Sequence, residues 1–185
     1  MVRTTILKSN FKEVSLFEET LYDIMWDKVD VKEPIMVEDE ETKKLVPSGE
    51  YKDTDYCVVT LERMNRKPSF DCVKNMIIEW FNKETDYKIE HNFVWNGMQV
   101  ELTTENQFNY KVAYDLAVQT NGATLPVIFK FGSSDAPQYH KFETLEDLTD
   151  FYTKAVKFVN DTLAEGWALK DSIDWNKYKE SLEAV

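Results

Sequence analysis

The dipeptide Asn96-Gly97 constrains the fold of this chain more than any other local feature. It lies between two short apolar runs, Phe93-Val94-Trp95 and Met98 to Leu102. A two-residue turn that matches strand twist needs positive φ at both central positions, and Asn followed by Gly tolerates this best. The pair therefore predicts a β-hairpin. Helical patterns flank it on both sides. Upstream, Phe70, Val73, Ile77, Trp80 and Phe81 recur every three or four residues, predicting an amphipathic helix from about Ser69 to Thr85. Downstream, Thr104-Glu105-Asn106-Gln107 reads as a capping box. The helix it opens carries Phe108, Val112, Leu116 and Gln119 on its inward face. It ends at Asn121-Gly122, residues that accept a left-handed cap. Leu125 to Phe131 and Tyr139 to Phe142 come next as strands around a loop, Gly132 to Gln138. Thr144 caps a last long helix with Leu148, Phe151, Tyr152, Ala155, Phe158, Val159 and Leu163 inward, loosened at Gly166. The order from Ser69 onward is α-β-β-α-β-β-α, an α+β domain.

The texture changes at Arg66-Lys67-Pro68-Ser69. Pro68 disfavours helix at Lys67, and Ser69 caps the helix that begins beyond it. This places a boundary between a small mixed helix and hairpin region, 1–68, and the α+β domain, 69–185. In the first region the spacing of Leu16, Leu21, Ile24 and Met25 predicts a helix from Ser15 to about Lys28. Ile35-Met36-Val37 reads as a short strand, and Glu38-Asp39-Glu40-Glu41 as an acidic hairpin tip. Leu45-Val46 returns as a strand, ended by Pro47-Ser48-Gly49. Tyr56 to Leu61 reads as a buried strand from its β-branched and aromatic content.

The chemistry is sparse. Against 34 acidic residues stand 22 basic ones, a net charge of −12. Residues 1–68 hold 11 basic and 15 acidic residues, and 69–185 hold 11 and 19, so neither part is basic. Duplex DNA and anionic membranes need clustered positive charge, which argues against either as the main partner. No run of 18 apolar residues is present to span a membrane, and the opening residues lack an apolar stretch of signal-peptide length. The expected compartment of synthesis is a reducing cytoplasm, with Cys57 and Cys72 as free thiols. His91 and His140 each stand alone, without metal-ligand spacing. The four consecutive acids lack the alternation and central glycine of a calcium loop. Gly132-Ser133-Ser134-Asp135 lacks the lysine of a phosphate loop, and no nucleophile elbow flanks the serines. No catalytic, cofactor-binding or metal-ligating residue is assigned, and an enzyme is not expected. Arg63, Arg66 and Lys67 form the one basic cluster. With Glu62 beside it, it reads as a protein contact rather than a nucleic-acid one.

Aromatics make up 14% of the chain, enough for a substantial core and some interface anchors. Ile35, Met36, Val37, Leu45 and Val46 are more apolar surface than two short strands bury on each other. Trp167, Trp175 and Tyr178 fall around the end of the long helix. These eight residues are the interface candidates.

Beyond Asn92 a longer set of residues stands out: Phe93-x-Trp95-Asn96-Gly97, Leu102-Thr103-x-Glu105-Asn106-Gln107-Phe108-Asn109-Tyr110, Ala113-Tyr114-Asp115-Leu116-Ala117, Leu125-Pro126-Val127-x-Phe129-Lys130-Phe131-Gly132, Tyr139-His140-x-Phe142, Leu145 and Gly166-Trp167-x-x-Lys170. This resembles a family of uncharacterised domains in tail, fibre and other virion-structural proteins of gut bacteriophages. The resemblance covers about half the chain strongly and the rest weakly, and brings no catalytic residues with it. It implies a tail, neck-ring or fibre-associated subunit, made in the host cytoplasm and assembled into the virion. Its implied partners are copies of itself and other virion proteins, with no cofactor. Two readings of other classes stand beside it. One is a soluble acidic module that binds a host factor. The other is a small hydrolase with a carboxylate pair about 5–10 Å apart across a cleft.

Overall fold

Pro68 and Ser69 start a helix but do not divide the chain. In the computed structural model, which describes residues 1–132 and 135–185, α1 spans Phe70–His91 and Ser69 Oγ accepts a bond from the Cys72 amide at 3.2 Å. The fold is α+β. Its two compact units are Met1–Ile77 with Asp174–Val185, and Ile78–Ile173. The division therefore falls inside α1 rather than at 68/69, and the last helix returns to the first unit. Ser133 and Ser134 lie outside the described residues, and so does any role of the 132–135 loop.

The first unit is built on an antiparallel sheet of order β1-β4-β3-β2, with β1 Val2–Leu7, β2 Val14–Glu18, β3 Leu21–Glu38 and β4 Leu45–Met64. The helix expected over Ser15 to Lys28 is absent. Those residues form β2, a turn, and the start of β3. The apolar spacing there suits either period, but Ile24, Met25 and Trp26 are buried consecutively. A consecutive buried run is a strand covered on both faces, and its backbone pairs with β4 at all three residues and with β2 at Ile24. Met25, Cys57 and Val59 form a small core with Ile6, Phe11 and Leu61 beside them. A helix that the sequence pattern does not separate from α3, α4 Trp175–Ala184, completes the unit. Asp174 caps it, accepting from the Asn176 amide at 3.1 Å. The Tyr178 hydroxyl donates to the Met25 carbonyl at 2.9 Å, and Trp175 meets Phe70 edge-on at 6.3 Å.

The second unit has the expected order. After α1 come β5 Phe93–Trp95, β6 Met98–Val100, α2 Thr104–Gln119, β7 Val127–Gly132, β8 Pro137–Phe142 and α3 Leu145–Asp171. Asn96 (φ 49°) and Gly97 (φ 77°) adopt the left-handed backbone that the β5–β6 turn requires. Gly97→Val is expected to cost about 1–2 kcal/mol through φ alone, since nothing lies within 4 Å of the added Cβ. The check is thermal denaturation, where an unchanged melting temperature would refute the turn.

Thr103, not Thr104, caps α2. Its hydroxyl accepts from the Asn106 amide at 3.2 Å, while the Gln107 side chain donates to the Leu102 carbonyl at 2.7 Å. Thr144 caps α3 as expected, accepting from Asp147 N–H. Gly166 does not loosen α3, which continues to Asp171. A Cβ at Gly166 would sit 2.4 Å from Thr85 Oγ1, so the glycine lets α3 approach α1 closely. The core is aromatic. Trp95 is 1% exposed, with Phe131, Phe142 and Phe151 at 5.3–6.3 Å, and its Nε1–H donates to Asp150 at 3.1 Å.

The face of α2 named from sequence is the wrong one. Phe108, Val112 and Leu116 are 65%, 40% and 46% exposed, while Tyr110 and Ala117 are buried and Tyr114 stacks on Tyr152 at 4.4 Å. Both stripes have helical period, and periodicity does not set which of two stripes faces in. The tyrosine stripe wins because Tyr110 lies against Phe129 and Phe151, at 4.7 and 5.1 Å.

Candidate interaction surface

Beyond the four-stranded part of the sheet, β3 and β4 continue without neighbours. β1 covers β4 only over Tyr56 to Leu61, and β2 covers β3 only over Leu21 to Ile24. From the Lys32–Asp53 pair to the Glu38–Leu45 pair the two strands run as a ribbon whose outer edges pair with no described strand. Pro47-Ser48-Gly49 does not end β4. Ser48, Gly49 and Glu50 oppose Ile35 alone, making a bulge in which Gly49 has φ 89°.

The sequence builds this ribbon by cross-strand pairs. Lys32 faces Asp53 and Glu33 faces Lys52, with N···O distances of 3.8 and 3.6 Å. Opposite charges set directly across antiparallel strands fix register at small net gain. The tip is an ordered turn. Asp39 Oδ1 accepts from the Thr42 amide and hydroxyl, both at 2.7 Å, and the Asp39 amide donates to the Lys44 carbonyl at 2.9 Å. The Thr42 bonds hold the Asp39 carboxyl below its ordinary range, so it stays ionised.

All five hairpin candidates are exposed. Ile35, Met36, Val37, Leu45 and Val46 lie between 36% and 67%, and Tyr51 joins them at 63%. Two free edges and an apolar surface are what strand addition by a partner uses. Of the other candidates, Trp167 is 57% exposed on α3. Tyr178 is 5% exposed, and Trp175 packs against Phe70 and Tyr178. Tyr178 belongs to the first unit's own core, which corrects its assignment to an interface, while Trp175 is half-buried against its own unit and keeps only part of its surface free.

In the second unit the outer stripe of α2 borders a half-open apolar cavity of about 290 Å³, lined by Leu102, Phe108, Tyr110, Tyr152 and Val156 among others. Burial, with a smaller contribution from Glu101, pushes the Tyr110 phenol up to about 12. Burial also raises Tyr178. A folded-state value above the unfolded one, near 10, stabilises below pH about 10. That contribution is lost as pH rises from about 10 through about 12. Denaturation midpoints are therefore expected to fall over this range, and Tyr110→Phe should reduce the fall. A fall of equal size in the variant would remove Tyr110 from the explanation.

His140 Nε2 lies 2.9 Å from Asp147 Oδ2 and its ring faces Trp95 at 4.8 Å, which ties β8 to the first turn of α3. Cys57 is buried and Cys72 exposed, and they are not bonded to each other. Among the described residues no group of three or more His, Cys, Asp or Glu side chains is placed to hold a metal ion. No helix among them is long and apolar enough to cross a membrane. The chain matches no protein-family model, no curated protein and no solved structure.

Proposed function

We propose that this chain is a structural subunit of a bacteriophage virion, a tail, neck-ring or fibre-associated protein that works by self-association and docking. The observation that carries the docking role is the ribbon. An isolated two-stranded ribbon is marginal in water, yet this one exposes apolar side chains and both edges along its length. The virion assignment rests on the resemblance of the residues from Asn92 to Lys170.

Magnitudes favour repeated contacts over a single one. Completing the burial of five half-exposed aliphatic side chains contributes on the order of 5 kcal/mol. Association costs about as much or more in lost freedom. One ribbon contact is thus weak alone, whereas a closed ring gives every subunit two contacts. The test is fractionation of a lysate in which the chain is made with the rest of its phage. Co-sedimentation with purified particles at fixed stoichiometry is expected. Recovery only in the soluble fraction would overturn the assignment and favour a soluble binding module.

A further inference from the structure

The ribbon carries opposite charge from the far end of its own strand, and this says what it docks on. We propose that the acidic tip of one copy's ribbon seats in the basic concavity at the base of the next copy's sheet. The proposal rests on the docking role given to the ribbon above.

The concavity, about 770 Å³, lies where β4 ends and α1 begins. Arg63, Arg66 and Lys67 line it beside Leu21, Met64 and the exposed Cys72, and no carboxylate residue is in its lining. Arg63 is committed within the chain. It donates to both Asp23 carboxylate oxygens, at 2.6 and 2.8 Å, and lies 3.5 Å from the Phe17 ring centre. Lys67 is exposed, and its Nζ donates to the main-chain oxygen of Val185 at 2.5 Å. Arg66 is exposed and makes no ion pair among the described residues. Arg66 thus stands without a counter-charge among the described residues, in a chain of net charge −12, and Lys67 adds a second positive charge to the lining.

The tip has the complementary surplus. Glu38 pairs with Lys43 at 3.7 Å and Asp39 is held in the turn, but Glu40 and Glu41 are exposed and make no ion pair among the described residues. Lys44 is the remaining cation there. Leu45 and Val46 flank the acids, as Leu21 and Met64 flank the bases. Charge pairs at such a contact set orientation and partner choice, and the apolar flanks add affinity.

A chain cannot satisfy itself this way. Tip and base are separated by the 20 residues of β4, about 65 Å of paired strand. Only a neighbour's tip reaches the base. The contact is then head-to-tail, which closes into a ring or continues as a filament. At 0.15 M salt the Debye length is about 8 Å, so the bulk like charge of two copies is screened while contacts at the tip are screened less.

The experiment uses the full chain in three forms: native, Glu40→Lys with Glu41→Lys, and Arg66→Glu with Lys67→Glu. All four positions are exposed, and melting curves confirm that each form is folded. Association is read by sedimentation velocity at about 0.15 M salt. Carbodiimide, which joins carboxylates directly to amines, maps the contact. The native chain is expected to associate and to give Glu40 or Glu41 links to Lys67. Each reversed form is expected to lose affinity by at least about tenfold. An equimolar mixture of the two reversed forms should regain association, since each supplies the charge that the other lacks. Native association that survives both reversals, or a mixture that does not recover, overturns the tip-to-base pairing. If that association is still lost on removing the ribbon, the ribbon's docking role stands. A native chain that never associates overturns both.

Discussion

Trp95→Ala is expected to destabilise the second unit by about 3–5 kcal/mol. The indole is 1% exposed and meets Phe131, Phe142 and Phe151, so its removal leaves a cavity that three other rings must fill. The rings come from β7, β8 and α3, and cannot all collapse inward without moving their strands. At about 2–4 °C per kcal/mol for a chain of this size, the melting temperature should fall by on the order of 10 °C. Trp95→Phe should cost less, because it keeps most of the ring volume and loses the bond to Asp150. Thermal and urea denaturation measure both. A Trp95→Ala protein that melts with the native one would show that β5 is not the centre of this core.

Removing the ribbon should have the opposite pattern, no loss of stability and complete loss of assembly. Replacing Glu33–Lys52 with Asn-Gly joins the cross-strand partners Lys32 and Asp53 by a two-residue turn. The buried residues of the sheet, among them Ile24, Met25, Trp26, Cys57 and Val59, all lie outside the excised segment. The melting temperature is therefore expected to stay within about 3 °C of native, by the same scaling. Self-association and incorporation into particles should disappear. A ribbon-less chain that still assembles would move the docking surface elsewhere, for example to the exposed stripe of Phe108, Val112 and Leu116.

Local signals in this sequence read well wherever the structure is local. Asn96-Gly97, Thr144 and the stripe from Leu148 to Leu163 act over a few residues, and each does in the fold what its chemistry suggests. Apart from the cap of α2, which falls one residue earlier at Thr103, the main misreadings share a cause, which is contact over long sequence distance. Residues 15–28 pair as strands because β4, some forty positions on, lies alongside. Pro68-Ser69 marks a helix start but not a domain edge, because α4 returns from the end of the chain to Phe70 and Met25. Tyr178 reads as a surface anchor for the same reason. The five aliphatic residues around the acidic tip are legible as candidates from composition alone. The length of the ribbon is not, since Pro34, Pro47 and Gly49 punctuate it and a bulge absorbs them.

The most direct test of the ribbon as a virion contact is cross-linking mass spectrometry on purified particles that carry this chain. Residues 32–53 are expected to link to neighbouring subunits, with links from Glu40 or Glu41 to Lys67 of another copy among them. Particles that lack the chain, or in which every link from residues 32–53 is intrachain, would contradict the assignment.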